Sequence, residues 1–380
     1  MPTDNPTFVP TNVPTRVPTS VPTSVPTPDY PTYTGPPLST SKMGVQVHIH
    51  QEEIDEILNN LQTLGVGWVK VQISWKLYEN GPGQYTDRFL ELDQLISRAN
   101  ERGLHVMLGV AKAPEWSRPL TEMDGPPVEF GQYRDFMNYL AARYRGQVAA
   151  YELWNEPNLQ REWHGFPLDG ALFVNLLREG AAGVRVADPG AVLISGAPAP
   201  TGINDGVTAV DDRIFFQQMI DAGVTDIVDV IGAHPYGWAN PPDSTATNPD
   251  PAIPSHNNHP SFFFWDTLHD YRAQLDAAGY NDTAIWVTEF GWGTFEGFGR
   301  EPPAGVEFMA YISEWQQAVY TLRAFELAQQ WEWVGPMILW NLNFGPLLGT
   351  QFSESGFSLL REDGSPRPVF YGLQFAEKRP

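Results

Sequence analysis

Eight short apolar runs, spaced through one chain and separated by amphipathic helical patterns, limit the architectures open to this sequence more than any other feature. The runs fall at 43–49, 68–74, 104–110, 150–155, 191–195, 227–233, 284–288 and 337–341. Each is rich in branched apolar residues and short enough to be a strand buried on both faces. Between them the apolar spacing changes to that of helices. Ile54, Ile57, Leu58 and Leu61 follow the i, i+3, i+4, i+7 rule, and Gly65 stops the pattern. Leu92, Leu95, Ile96 and Ala99 repeat it before Gly103, and Phe136, Tyr139, Leu140 and Tyr144 before Gly146. Strand and helix in strict alternation give a parallel α/β fold, and eight units give a closed (β/α)8 TIM barrel in preference to an open doubly wound sheet. A Gly-rich phosphate turn after the first strand would favour the open sheet, and none is present.

The barrel pattern begins only at about residue 41. Before it, Pro recurs at every fourth position from 2 to 26, and Val-Pro-Thr occurs five times within 9–27. Proline at that density removes backbone donors and fixes an extended backbone. Residues 1–40 are therefore expected to be a disordered Pro/Thr-rich linker and 41–380 the catalytic domain. Such tracts hold extracellular enzymes away from a surface or another module, so a secreted or cell-surface location is expected. Met1 leads directly into the polar tract, and no signal peptide is expected in this chain. The net charge of −22 argues against nucleic acid or an anionic membrane as partner. No apolar run reaches the length of a membrane span, so no insertion is expected. Cys is absent, which excludes disulfides, thiolate metal sites and a Cys nucleophile.

In such a barrel, chemistry gathers at the C-terminal ends of the strands. Glu156, in YELWNEPN at strand four, and Glu289, in AIWVTEFGWG at strand seven, fall on that rim. A carboxylate at the end of an apolar run is costly unless it has partners or a task. Two facing carboxylates suit glycoside hydrolysis, in which one donates a proton to the leaving oxygen and the other attacks the sugar or activates water. Apolar surroundings are expected to raise the pKa of one of them. Glu152, four residues before Glu156, faces the same way but deeper, and is expected to be a structural carboxylate with a partner inside the barrel. Glu115 and Glu332 are expected to make loop and surface contacts.

LWNEPN and VTEFGW resemble the retaining glycosidases of clan A, with family 39 and its neighbours most similar and family 5 next. The resemblance covers roughly residues 42–378 and includes GAHPYG at 232–237, ILWNLN at strand eight and FSLLREDGSPRPVFYGL at 357–373. It implies that Glu156 is the acid/base and Glu289 the nucleophile. It further implies that Asn155 bonds the sugar 2-hydroxyl, that His234 lines the site, that Tyr236 orients the nucleophile and that Trp340 is the aromatic platform. Net retention, hydrolysis of a β-linked saccharide, endo action and a monomer are expected, with no cofactor and no metal. Many relatives carry an Arg near the end of strand two, where this chain has Trp75 and Lys76.

Other residues admit competing readings. His48 is expected to contact a sugar hydroxyl. HIH, His48 to His50, is also how metal-dependent amidohydrolases begin, but strand five here lacks the His and strand eight the Asp that such a site needs. Trp292 is expected to meet substrate, whereas core or loop packing is at least as fitting for Trp75, Trp116, Trp163, Trp238 and Trp265. The long loops 238–260 and 293–305 follow strands six and seven and are expected to wall the cleft. A non-catalytic carbohydrate-binding barrel and a transglycosylase are the alternatives. A binder has no need of two carboxylates at one point.

Overall fold

The computed structural model describes residues 29–49 and 53–380. Eight parallel strands form the central sheet: β1 Met43–Val47, β2 Trp68–Ser74, β3 His105–Ala111, β4 Ala150–Leu153, β5 Val192–Ser195, β6 Ile231–Ala233, β7 Ile285–Phe290 and β8 Val334–Leu339. Neighbours in sequence are neighbours in space, and β8 returns to β1 through Met337 beside Met43. Between β5 and β6 the seam is one parallel bridge, Ile194 to Val230. The expected strand at 227–233 is thus shortened to its last three residues, preceded by a 3-10 turn at Val224–Asp226 and by backbone bonds from Asp229 and Val230 to Leu193 O.

The connecting helices follow the apolar stripes. α1 Ile54–Leu64 buries Ile54, Ile57, Leu58 and Leu61 and ends on Gly65, whose φ of +68° is costly for any residue with a Cβ. α2 Phe89–Glu101 and α3 Phe130–Arg143 repeat the device. α4 Gly170–Ala187 starts on Asp169, whose carboxylate accepts from Leu172 N. α5 Asp212–Asp221, α6 Phe264–Ala277, α7 Glu314–Ala328 and α8 Pro368–Phe375 complete the ring.

The barrel interior is layered. Trp68, Met107, Ala150, Ile194, Val230 and Ile338 fill its N-terminal half with apolar side chains. Above them the interior turns polar, with Lys70, Glu152, His234 and Thr288 all fully buried. Gly109 on β3 makes room there. A Cβ at that position would lie 2.6 Å from Gln72 Oε1, 3.0 Å from Glu152 Oε2 and 3.1 Å from Lys70 Cε.

The expected linker runs too far at its C-terminal end. Leu38–Ser39 pairs in parallel with Lys378–Arg379, Leu38 is fully buried, and Tyr30 stacks on Phe375 at 5.3 Å. Tyr30 finds cover against α8 and Leu38 within the core, which the Pro spacing upstream did not suggest. The rest of the tract, 1–28, lies outside the described residues, as does His50. Among the described residues no helix is long and apolar enough to cross a membrane.

Candidate active site

Glu156 lies just beyond β4. The chain reaches it through Trp154 at φ +80° and Glu156 itself at φ +42°, both left-handed. Each such non-glycine residue costs on the order of 1–3 kcal/mol and persists only where its surroundings over-determine it. Here they do. Glu156 N donates to Ala197 O at 3.0 Å. Fully buried Asn158 donates to Ala199 O and Val210 O, each at 2.9 Å, and accepts from Ala199 N at 2.7 Å. The second Asn of NEPN therefore clamps the turn that aims the carboxylate.

The Glu156 carboxylate has two partners. His234 Nδ1 lies 3.3 Å from Oε1, and Arg161 donates to Oε2 at 3.0 Å. Burial works to raise its pKa, but the His234 hydrogen bond and the Arg161 charge outweigh burial and hold it at about 2. For Glu156 that overturns the expectation of a raised carboxyl. The carboxyl that burial does raise is Glu162, pushed to about 7 against the opposing pull of Lys112.

Glu289 sits within β7 and is 8% exposed. Tyr236 donates to Oε2 at 3.0 Å. Lys70 donates to Oε1 at 3.3 Å. Gln46 of β1, with its amide turned so that both ends are satisfied, also donates to Oε1 at 3.1 Å and accepts from Trp340 Nε1 at 3.1 Å. Three donors from β1, β2 and the end of β6 thus fix one carboxylate.

Lys70 was not among the residues singled out by sequence, and it corrects the reading of strand two. The cation facing Glu289 is on the strand itself. Trp75 is fully buried in the core with its indole on Glu79, and Lys76 pairs with Asp124 at 2.5 Å. Lys70 also meets Glu152 at 2.7 Å, so Glu152 has the interior partner expected of it. Burial would lower the Lys70 pKa, but Glu152 and Glu289 reverse this and raise it above the ordinary lysine value. Glu152 Oε1 in turn lies 3.6 Å from His234 Nε2. Burial acts to raise Glu152, yet Lys70 and His234 bring it down to about 2. His234, disfavoured as a cation by burial, is carried up to about 9 by Glu289, Glu152 and Glu156.

The remaining expected residues divide. Trp340 is half-buried at the end of β8, edge-on to Tyr236 at 6.4 Å and to Phe357 at 5.2 Å. Asn155 adjoins Glu156, and its Oδ1 has no hydrogen-bond partner among the described residues. His48 stacks on Phe344 at 3.6 Å, its Nε2 likewise unpartnered, and burial lowers its pKa to about 3. Trp292 is corrected: it is 1% exposed, its Nε1 donates to Asn240 O at 2.8 Å, and it packs on Phe264, Phe290 and Tyr320. It holds the loop after β6 to the barrel and has no face for a sugar. Among the described residues no three His, Asp or Glu side chains are grouped to hold a metal ion.

A family model described as Cellulase (glycosyl hydrolase family 5) matches residues 32–322. No curated protein matches the chain. Among solved structures, a family 39 glycoside hydrolase from the gut symbiont Bacteroides cellulosilyticus WH2 superposes with a TM-score of 0.67 at 19% identity. That match covers 90% of this chain and 64% of the other, so this chain spans under two thirds of that enzyme's length. Cel5A of Thermotoga maritima, solved with mannotriose, has a TM-score of 0.54 at 16% identity over 88% of this chain and 97% of its own. An exo-beta-1,4-mannosidase, Op5Man5, from Opitutaceae bacterium strain TAV5 has a TM-score of 0.56 at 18% identity over 93% and 62%. At these identities the structures share the fold.

Proposed function

This chain belongs to glycosyl hydrolase family 5, within the clan whose resemblance the strand-end motifs carry, and from that premise we propose that it is a retaining β-glycosidase that cuts β-linked oligo- or polysaccharide internally. It is an O-glycosyl hydrolase with a carbohydrate substrate. The finer reading rests on one observation above the others. Glu289 is held by three donors while Glu156, from a different strand, meets only two partners, one of them the largely exposed Arg161. A carboxylate fixed by several donors suits a nucleophile, and one whose exposed partner can leave suits an acid/base.

In the first step a Glu289 oxygen bonds the anomeric carbon as the glycosidic bond breaks, and the Glu156 proton goes to the leaving oxygen. In the second, Glu156 takes a proton from water as its oxygen replaces Glu289 at that carbon. Arg161 moves from Glu156 before the first step, because its charge 3.0 Å away adds to the His234 hydrogen bond in keeping the carboxyl from holding a proton. Its side chain is 67% exposed and free to do so. Asn155 takes the sugar 2-hydroxyl, His48 a further hydroxyl, and Trp340 the ring face. The aromatic edges of Phe344 and Phe357 beside Trp340 support a saccharide chain as substrate. One copy carries every residue of the site, which supports action as a monomer. The Pro/Thr repeat supports a secreted or cell-surface location.

The test is release of reducing ends from β-glucan, β-mannan and xylan, with product masses, by the wild type and by Glu289→Gln. Turnover by the wild type and a loss of more than about a thousandfold in the folded variant are expected. Carbohydrate binding without turnover would favour a non-catalytic binder, and products longer than the substrate a transglycosylase. Activity of Glu289→Gln within tenfold of wild type would remove Glu289 from its role.

A further inference from the structure

Four buried groups and the half-buried Glu156 form a series of charge contacts, 2.7 to 3.6 Å long, from one reacting carboxylate to the other. Glu289 Oε1 meets Lys70 Nζ at 3.3 Å, and Lys70 meets Glu152 Oε2 at 2.7 Å. Glu152 Oε1 meets His234 Nε2 at 3.6 Å, and His234 Nδ1 meets Glu156 Oε1 at 3.3 Å. The three inner members, Lys70, Glu152 and His234, are fully buried. Nothing in the chemistry of hydrolysis calls for Glu152, since it lies below the rim and touches neither the nucleophile nor the acid/base directly.

Its charge gives it a role. With every member ionised, the chain holds three carboxylates and two cations, a net charge of −1. Buried charge of one sign is costly, and a group that can take up a proton does so instead. We propose that Glu152 is a positioning residue for the proton: its fixed charge, held between Lys70 and His234, leaves the chain one positive charge short of neutral, so that Glu156 loads the proton when Arg161 leaves. The inference rests on the double-displacement reading above.

The count stays balanced through both steps. Before glycosylation Glu156 is protonated, Glu152 and Glu289 are negative, Lys70 and His234 positive, and the sum is zero. When the C–O bond to the leaving group breaks, Glu289 becomes a neutral ester and the Glu156 proton leaves on the departing oxygen. Glu152 and Glu156 are then negative against the same two cations, and the sum is zero again. Water restores the first state by giving its proton to Glu156 and its oxygen to the sugar. In the ligand-free site Arg161 supplies the missing charge, which agrees with the low pKa of Glu156 there.

The other groups around this chain are the same in the wild type and in every variant below, so they act on each limb alike. Tyr133 of α3 and Tyr236 are raised well above the ordinary tyrosine value by burial and stay neutral. Asp124 is shared by Lys76 and Lys112 at the ends of β2 and β3. Glu162, 3.9 Å from Lys112, is the remaining carboxyl near Glu156.

The test is the basic limb of kcat against pH, which reports the acid in the enzyme–substrate complex. The probe is β-glucan, β-mannan or xylan, whichever the wild type cleaves. Glu152→Gln makes the chain neutral with Glu156 ionised, so its limb moves to lower pH by about one unit. Lys70→Met leaves it at −2, so its limb moves to higher pH. The double variant Lys70→Met/Glu152→Gln returns the sum to −1, and its limb returns toward wild type. A merely structural role for the pair would lower kcat in all three without this order. A Glu152→Gln limb unmoved or moved upward overturns the proposal. If Glu152→Gln does not fold, the comparison is the double variant with wild type, since removing both partners leaves no unpaired buried charge; coincident limbs support the proposal and a lowered limb overturns it. A wild type without hydrolysis refutes the glycosidase reading instead, so the two failures are distinct.

Discussion

Tyr236 offers a clean perturbation of Glu289. Its hydroxyl is the donor to Glu289 Oε2, at 3.0 Å, whereas Oε1 is met by both Lys70 and Gln46. Tyr236→Phe keeps the ring edge-on to Trp340 and Phe357 and removes that one donor. A hydrogen bond to a charged acceptor contributes about 1.5–3 kcal/mol, and more of it is lost when the acceptor is left buried. If that stabilisation positions Glu289 in the transition state, the variant loses about 10- to 150-fold in kcat/KM. The loss falls on kcat more than on KM, because the hydroxyl faces the carboxylate and not the sugar. The assay is initial rates against substrate concentration for both proteins, with thermal melts to show that the isosteric change leaves the fold in place. A kcat/KM within twofold of wild type would refute the assignment of Tyr236 as the orienting donor. A raised KM at constant kcat would make it a substrate contact.

Arg161→Ala removes the exposed cation at Glu156, so the pKa of that carboxyl rises in the free enzyme and the basic limb of kcat/KM extends to higher pH; the limb of kcat, measured once Arg161 has left, stays where it was. Deletion of residues 1–28 leaves the melting temperature unchanged, since their composition buries little. Deletion through residue 39 lowers it, because Leu38 and the pairing with Lys378–Arg379 are lost, and Leu38→Ala alone costs about 2–5 kcal/mol in a denaturant melt.

The apolar period carried the fold, because each barrel strand is buried on both faces and so reads as a continuous run. It was weakest at β6, where three paired residues and a bridge do what a full strand does elsewhere. The two carboxylates were legible because a charged residue closing an apolar run is expensive. The same argument applied with equal force to Lys70 in WVKVQIS and Gln46 in MGVQV, polar residues in the middle of buried strands, and would have found both. Asn158 and Arg161 had no such signal, since a polar residue in a rim loop is ordinary. Trp292 misled because strand-end position places a residue on the rim but does not fix which way its ring turns. The low pKa of Glu156 was also out of reach. It depends on an arginine five residues on and a histidine two strands away, which only the folded chain brings to one carboxylate.

The central claim is that Glu289 attacks the sugar and Glu156 handles the proton. Proton NMR of the first-formed product, recorded before mutarotation on a β-linked oligosaccharide that the wild type cleaves, tests it most directly. Two displacements at one carbon give the β-anomer first. The α-anomer appearing first would contradict the account, because Glu289 would then be a base acting through water.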